Sequence, residues 1–485
     1  MKNLLFRWNQ NPGTSKESRE TTGSEKSALR NAKFLKDSKH FLRLRKSFQA
    51  DPNLHNCHRV KALPNSAEVF FRHIRRVDAS FPPRTNVARL MTPFHATASV
   101  PDFRKRPATG SLRIAHVVDS LAPGGMENGI ANLARSMEPD GCETHVVCLT
   151  RRGAFAERMP DPAQVTALEK PPGFLPRWVS VLRRELRRIA PDLIHTHNLG
   201  PLIYTGLASL LPGLPPIVHG EHAELGPGET TPKRLWLRRF LYRRCAAIHS
   251  VSAALNRNLE ANGLRFPKPV AIANGVDTHR FQPSPQRSLT RASLGLPGPE
   301  SGFVLGVVGR FGPFKRQRLL VEAFDLLAGN HPSLWLVLVG DGGPEADPVR
   351  ERVAASPHSG RIRLAGFQAE PAPWYQAFDL LVQPSVNEGM SNALLEAMAC
   401  GTPILAQVSC GCAELIRHGE NGFLTECRTA RDLADAIHPF VTDPSGDWRQ
   451  VGPAAREIVT RNFSLDSMAR AYRELYEAAA GKGRE

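Results

Sequence analysis

From Leu112 onward the chain alternates between two kinds of segment. Short apolar runs bounded by turn residues recur: LRIAHVV (112–118), THVVCLT (144–150), LIHTH (193–197), PIVHGE (216–221), AAIHSVS (246–252) and PVAIAN (269–274). Helix-length segments lie between them, among them Arg177 to Ile189, whose Trp178, Val179, Val181, Leu182, Leu186 and Ile189 fall on one arc and whose arginines fall on the other. Apolar runs without strict alternation predict strands covered on both faces, in parallel βαβ units. A Pro-, Ser- and Gly-rich stretch, residues 283–302, interrupts the rhythm. It restarts with GFVLGVVGR (302–310), LWLVLVGDG (334–342), RIRLAGF (361–367), DLLVQPS (379–385), PILAQ (403–407) and GFLT (422–425). Six strands on each side of a linker predict an α/β protein of two doubly wound domains facing a cleft, 111–282 and 303–463. Ligands of such sheets bind beyond the carboxyl ends of the strands, so the loops after these runs are the places to search.

Residues 1–110 carry no sustained period of either kind, apart from a local helix signal near 66–77. They hold 22 Lys+Arg against 8 Asp+Glu, whereas the remaining residues hold 41 against 38. The net charge of +17 therefore belongs mostly to a basic extension, expected to be largely disordered. It reads as a basic arm for anionic lipid or nucleic acid, or as the product of an upstream start codon; a nucleic-acid partner is not expected for the near-neutral body. No apolar run reaches transmembrane length, and the N-terminus lacks a signal-peptide core, so a cytoplasmic protein is expected. Eight cysteines form no CxxC pair, which fits reduced, scattered thiols.

Three loops carry candidate chemistry. In NEGMSNALLEAMACG, residues 387–401, Glu388 precedes Gly389, and a helix is predicted from Asn392 to Ala399 with Gly401 at its stop. Its free N–H groups suit a diphosphate, and Gly389 permits close approach. Glu388 and Glu396 then make sense as hydroxyl acceptors on either side, although two solvated acids on an amphipathic segment would look the same. Second, the strand ending at Arg310 is followed by Lys315 at a helix start. The chain contains no DxD pair, so these cations are candidates to stabilise a diphosphate without metal. At about 4 Å and an effective dielectric near 20 each supplies on the order of 4 kcal/mol of gross attraction, against roughly 0.3–2 kcal/mol from a helix end. Third, Gly124-Gly125 follows the first strand and opens a helix.

Histidines cluster in the first half: His195, His197, His219 and His222. No carboxylate set completes a metal site at this spacing, and no metal is expected. His195 and His219 alternate into strand cores, which leaves His197 and His222 to meet a sugar hydroxyl or phosphate. The arginine face of 177–189 suits either solvent or an anionic membrane. In KRLWLRRFLYRRC (233–245) the arginines spread around the wheel, and periodicity gives no lipid-facing side.

From about Arg113 to Ala479 the chain resembles the family-4 retaining glycosyltransferases of the GT-B fold. The resemblance rests on pieces in family order: PGGMENGIANLA, DLIHTHN, VHGEHAE, SVSAALNRNL, IANGVDTHRF, VVGRFGPFKRQRLLVEAF, LVLVGDGG, IRLAGF and NEGMSNALLEAMACGTPILA. It implies that Arg310 and Lys315 hold a donor diphosphate, Glu388 the transferred sugar and Glu396 the ribose. Amides of Gly389, Met390, Ser391 and Asn392 would line the diphosphate, with His222 near the reaction centre and Gly125 in the first-domain glycine loop. It also implies no cofactor or metal beyond the nucleotide sugar, a glycan or polyprenyl-linked acceptor, and a helix at 464–480 crossing back to the first domain. Arg316 stands where many members have Gly, and Met390-Ser391-Asn392 where many have Phe-Gly. The PGGMEN and GMSNALLEAMA forms look most like the bacterial exopolysaccharide branch, including sugar transferases associated with exosortase systems. A nucleotide-sugar epimerase, a phosphorylase and a non-catalytic nucleotide-sugar-binding protein are the rival readings.

Overall fold

The structure is a computed structural model that describes residues 112–482, apart from 227, 267 and 268. The expectations for residues 1–110 lie outside the described residues.

The first sheet has seven parallel strands: β1 (Arg113–Ser120), β2 (Glu143–Arg151), β3 (Val165–Ala167), β4 (Leu193–His197), β5 (Ile217–Glu221), β6 (Ala247–Ser250) and β7 (Val270–Ala271), in the order β3-β2-β1-β4-β5-β6-β7. The second has six: β8 (Phe303–Val308), β9 (Leu334–Val339), β10 (Ile362–Gly366), β11 (Leu380–Gln383), β12 (Ile404–Gln407) and β13 (Phe423–Thr425), in the order β10-β9-β8-β11-β12-β13. Both are doubly wound. Strand order reverses between β1 and β4 and between β8 and β11, and loops leaving those strands border the crevices where such sheets bind ligands. The sequence pattern predicted six strands in the first sheet. The seventh, β3, is only three residues long and leaves no period to detect.

Helices on both faces explain the apolar runs. In β8 all but the last residue are buried, and packing is so close that a Cβ on Gly306 would sit nearer than 3.0 Å to the Phe378 ring. The helix Arg177–Ile189 buries Leu182, Leu186 and Ile189 as its wheel predicts.

The predicted linker is not a loose tether. It contains the helix Arg287–Ser293, whose Arg291 is fully buried. The Arg291 guanidinium donates to the carbonyls of Ala377 (2.8 Å) and Gly302 (2.9 Å) and pairs with Asp379. Arg287 and Arg449 each reach the other Asp379 oxygen at 2.9 Å. Burial alone would raise the Asp379 pKa, but Arg287 and Arg291 hold it below its ordinary value. This clamp fastens the link to the base of β11, the strand that leads to Glu388.

The last helix, Leu465–Lys482, is capped by Ser464, whose Oγ accepts from the Ser467 amide at 3.2 Å. It buries Tyr472, Leu475 and Tyr476 against Ile114, Leu193 and Val218 of the first sheet.

The segment 233–245 differs from its wheel. Arg238 of the helix Pro232–Tyr242 is buried; it donates to Glu221 Oε1 at 3.1 Å and pairs with Glu229. With that cation turned inward, the outer face of the helix shows Trp236 (64% exposed) and Phe240 (36%), stacked at 6.0 Å. Lys233, Arg239, Arg243 and Arg244 are exposed around them. A wheel cannot reveal this face, because an arginine with buried carboxylate partners looks like any other arginine. Among the described residues, no helix is long and apolar enough to cross a membrane.

Candidate functional site

The predicted helix forms at Asn392–Ala399, with Gly401 in the left-handed region (φ 67°) just beyond it. Ser391 occupies the N-cap but makes no side-chain cap bond. Its Oγ turns inward toward Gln383 Nε2 (3.4 Å) instead. The first-turn N–H groups are thus left to other acceptors, as an anion site requires.

Lys315 and Glu388 come together: Nζ donates to Glu388 Oε1 in an ion pair. The two loops leave β8 and β11, the adjacent strands at the switch point of the second sheet. Arg310, at the end of the β8 run, is exposed and forms no ion pair among the described residues. Its charge reaches the first domain, where it counteracts the rise that burial produces in the Glu127 pKa. One exposed cation and one ion pair therefore border the same crevice, within electrostatic reach of Glu127.

The glycine at 389 has a reason the sequence did not disclose. A Cβ there would lie closer than 3.0 Å to the His222 carbonyl oxygen, and Ala223 bridges to Glu388 in an isolated antiparallel pair. Gly389 makes room for the backbone of the first domain. Met390 and Asn392 also join the domains. Met390 Sδ lies 3.2 Å from the Asn274 amide, and Asn392 Oδ1 accepts from Asn274 Nδ2 at 2.8 Å. Asn392 Nδ2 donates to the Gly125 carbonyl at 2.9 Å. The two glycine loops found separately in the sequence are thus tied directly to each other.

Glu396 lies one turn further on and receives a 2.7 Å hydrogen bond from the Tyr375 hydroxyl. Desolvation pushes its pKa up to about 7, against the Tyr375 hydrogen bond and the charges of Arg280 and Arg158. It is partly exposed, so a hydroxyl-bearing ligand can still reach it.

His222 is partly exposed, whereas His197 is buried, as are His195 and His219. His197 is therefore not a ligand-facing histidine. It supports His222: its Nδ1 lies 2.9 Å from His222 Nε2, and its Nε2 lies 2.9 Å from Nδ1 of His116. His116 escaped the sequence reading because it sits in a different run. Register explains its arrival, since β1 and β4 pair with His116 beside His195. His195 uses both nitrogens as well, with Tyr476 Oη at 2.8 Å and His249 Nε2 at 2.9 Å. His116, His195 and His197 bring ring nitrogens within 4.8 Å of one another, a spacing a metal ion could use. Two of those nitrogens, His116 Nδ1 and His197 Nε2, are hydrogen-bonded to each other, and the other His197 nitrogen and both of His195 to His222, Tyr476 and His249. Burial lowers the pKa of His222 to about 4 and of His116 to about 3, and holds His195, His197 and His249 well below the ordinary value. All five rings are neutral near pH 7. Beside them Glu221 stays charged. Burial would raise its pKa, but hydrogen bonds from His219 and Tyr242 and the charge of Arg238 hold it at about 2.

A surface recess of about 630 Å³, lined by Pro283, Gly401, Pro453, Arg456 and Glu457 among others, holds none of the candidate ligand-facing side chains.

Residues 123–280 match the family model described as Glycosyltransferase Family 4, and residues 302–443 the one described as Glycosyl transferases group 1. The D-inositol 3-phosphate glycosyltransferase of Streptomyces bingchenggensis is 34% identical over 224 residues, 44% of this chain and 48% of that one. The lipopolysaccharide core biosynthesis mannosyltransferase LpsB of Rhizobium meliloti is 31% identical over 248 residues, 50% of this chain and 68% of that protein. The chain spans about half the length of the first curated relatives it matches. Among solved structures, Anabaena Alr3699/HepE in complex with UDP and glucose is 25% identical, with a TM-score of 0.66 over 76% of this chain and 100% of that one. The sucrose-phosphate synthase of Thermosynechococcus elongatus, 22% identical over 76% of this chain and 100% of that one, shares the fold at a TM-score of 0.64.

Proposed function

The chain belongs to glycosyltransferase family 4, and from that premise we propose that it transfers a sugar from a nucleoside-diphosphate sugar to a glycan or lipid-linked acceptor with retention of anomeric configuration. The product would be an exopolysaccharide or another cell-surface glycan. The observation that carries the reading is the Lys315–Glu388 ion pair at the switch point of the second sheet, against the His222–Ala223 backbone, with the exposed Arg310 on the same loop as Lys315. Anabaena HepE, solved with UDP and with UDP-glucose, supports a nucleotide-sugar donor.

In this reading the donor lies on the second domain. Its diphosphate takes the Arg310 guanidinium, the Lys315 ammonium and the amides opening the helix Asn392–Ala399. Lys315 exchanges part of its hold on Glu388 for the phosphates. Glu388 is thereby released to accept from hydroxyls of the transferred sugar, and Glu396 accepts from the ribose. As the sugar–phosphate bond breaks, negative charge grows on the leaving oxygen. Fixed cations and amides there stabilise the transition state more than the ground state. His222, neutral near pH 7, is a poor acid. No side chain stands out as a general base, so the leaving phosphate itself takes the acceptor proton. Those cations make a metal unnecessary in this scheme.

A cytoplasmic protein docked on an anionic membrane surface fits an acceptor carried on lipid. Trp236 and Phe240 would enter the headgroup layer while Lys233, Arg239, Arg243 and Arg244 meet anionic lipid, each near-surface cation contributing about 1 kcal/mol. The test is a panel of nucleotide sugars scored by thermal shift, followed by proton NMR of the transferred product. A product of inverted anomer overturns retention, and epimerised donor in the absence of acceptor favours the epimerase reading.

A further inference from the structure

We propose that His197 is a positioning residue that holds His222 as the tautomer protonated on Nδ1, so that His222 offers an N–H donor to the substrate rather than a base. The identity of that substrate rests on the function proposed above; the tautomer does not.

A neutral imidazole has one N–H and one bare nitrogen, and the partner of one nitrogen dictates the role of the other. His222 Nε2, His197 Nδ1, His197 Nε2 and His116 Nδ1 form two successive hydrogen bonds of 2.9 Å. Within such a chain all N–H groups run the same way. If they run inward, His116 carries its hydrogen on Nε2, which has no partner among the described residues. His116 is 1% exposed, so that N–H would have far less access to water than one on the partly exposed His222 ring. If they run outward, only a lone pair is left unmatched at the inner end. His116 then donates to His197, His197 donates to His222, and His222 keeps its hydrogen on Nδ1. That nitrogen has no partner among the described residues, and His222 is the one of the three rings that is not buried.

The surroundings are built for this chain. A Cβ on Gly220 would lie closer than 3.0 Å to His249 and 3.0 Å from His222 Nε2, so the glycine makes space for both rings. The His116 and His197 rings lie nearly parallel, 12° apart. Outside the chain, Ala223 bridges to the backbone of Glu388. This places His222 beside the loop whose proposed ligand carries phosphate and hydroxyl oxygens, all able to accept.

The test uses the full chain labelled with [15N]histidine. Ring-nitrogen shifts distinguish the tautomers, and His222 is identified by the signals lost in His222→Asn. The wild type is expected to carry the His222 proton on Nδ1 from pH 6 to 8. In His197→Phe, which cannot donate, the proton is expected to move to Nε2, and turnover to fall about tenfold, as for one lost hydrogen bond. His197→Asn, whose amide N–H can stand near the position of Nδ1, is expected to restore the Nδ1 proton and most of the turnover. A wild-type proton on Nε2 overturns the proposal without any variant. So does an unchanged tautomer in His197→Phe, or stoichiometric zinc bound by the wild type and lost in His197→Asn. If no nucleotide sugar is turned over but the tautomers behave as stated, the proposed function fails while the positioning role stands.

Discussion

The carbonyl oxygen of His222 occupies the space in which a side chain on Gly389 would begin, closer than 3.0 Å to that Cβ. The first domain thus presses its backbone directly against the loop that carries Glu388. Both partners in the contact are backbone, so neither can swing aside.

Gly389→Ala is expected to force the two domains apart locally. Melting temperature should fall by several degrees, since a clash of this kind costs about 1–3 kcal/mol. Turnover should fall further than stability, because the same loop positions Glu388. Scanning calorimetry and a transfer assay on one preparation check both.

Removing the guanidinium of Arg238 leaves Glu221 charged and buried. Breaking such a pair costs about 3–5 kcal/mol, so Arg238→Met is expected to lower the urea midpoint strongly. The double variant Arg238→Met with Glu221→Leu should recover part of that loss. A double variant no better than the single one would show that the ion pair does not dominate.

Glu396 titrates in the opposite sense to an ordinary surface acid. Its folded pKa, about 7, stands above its unfolded value. Between the two, the folded chain holds a proton that the unfolded chain has released. Stability therefore falls as pH rises through that window. Glu396→Gln should melt close to wild type at pH 4.5 and above it at pH 8. If the carboxylate accepts from a ribose, donor affinity should instead rise across pH 7 in the wild type and be flat in the variant. Isothermal titration at several pH values reads this.

The five neutral histidines act the other way. Their folded pKa values lie below the ordinary value, at about 4 for His222 and about 3 for His116. The unfolded chain binds protons first, so stability is lost as pH falls below about 6.5, by roughly 1.4 kcal/mol per pH unit for each histidine. A sharp acid transition between pH 6.5 and 4 is expected. His249→Phe should shallow it, as equilibrium denaturation at stepped pH will show.

Much of this architecture could be read from local pattern. The helices Arg177–Ile189 and Asn392–Ala399 were legible, the first from its apolar arc and the second from its N-cap residues and the Gly401 stop. All the strands except the three-residue β3 were legible because both faces of each sheet are covered. Relationships between distant segments were not. Nothing near His197 indicates that His116, 81 positions away, completes its hydrogen bonding, since that follows from the order β1-β4 in the sheet. Nor does the motif around Gly389 reveal that its glycine faces protein backbone. Spacing placed His197 at a strand end and so toward ligand, but the ring is buried behind His222. The local rule gave the correct strand and the wrong role.

The central claim is that Arg310 and Glu388 act on a nucleotide sugar in one site. Arg310 is exposed and unpaired among the described residues, so Arg310→Ala should keep the wild-type melting temperature. The decisive measurement is the rate of sugar transfer by wild type, Arg310→Ala and Glu388→Ala, with the donor that gives the largest thermal shift. The account predicts kcat losses of about 10²–10³ in both variants, with the fold intact. Wild-type turnover in either variant would contradict it.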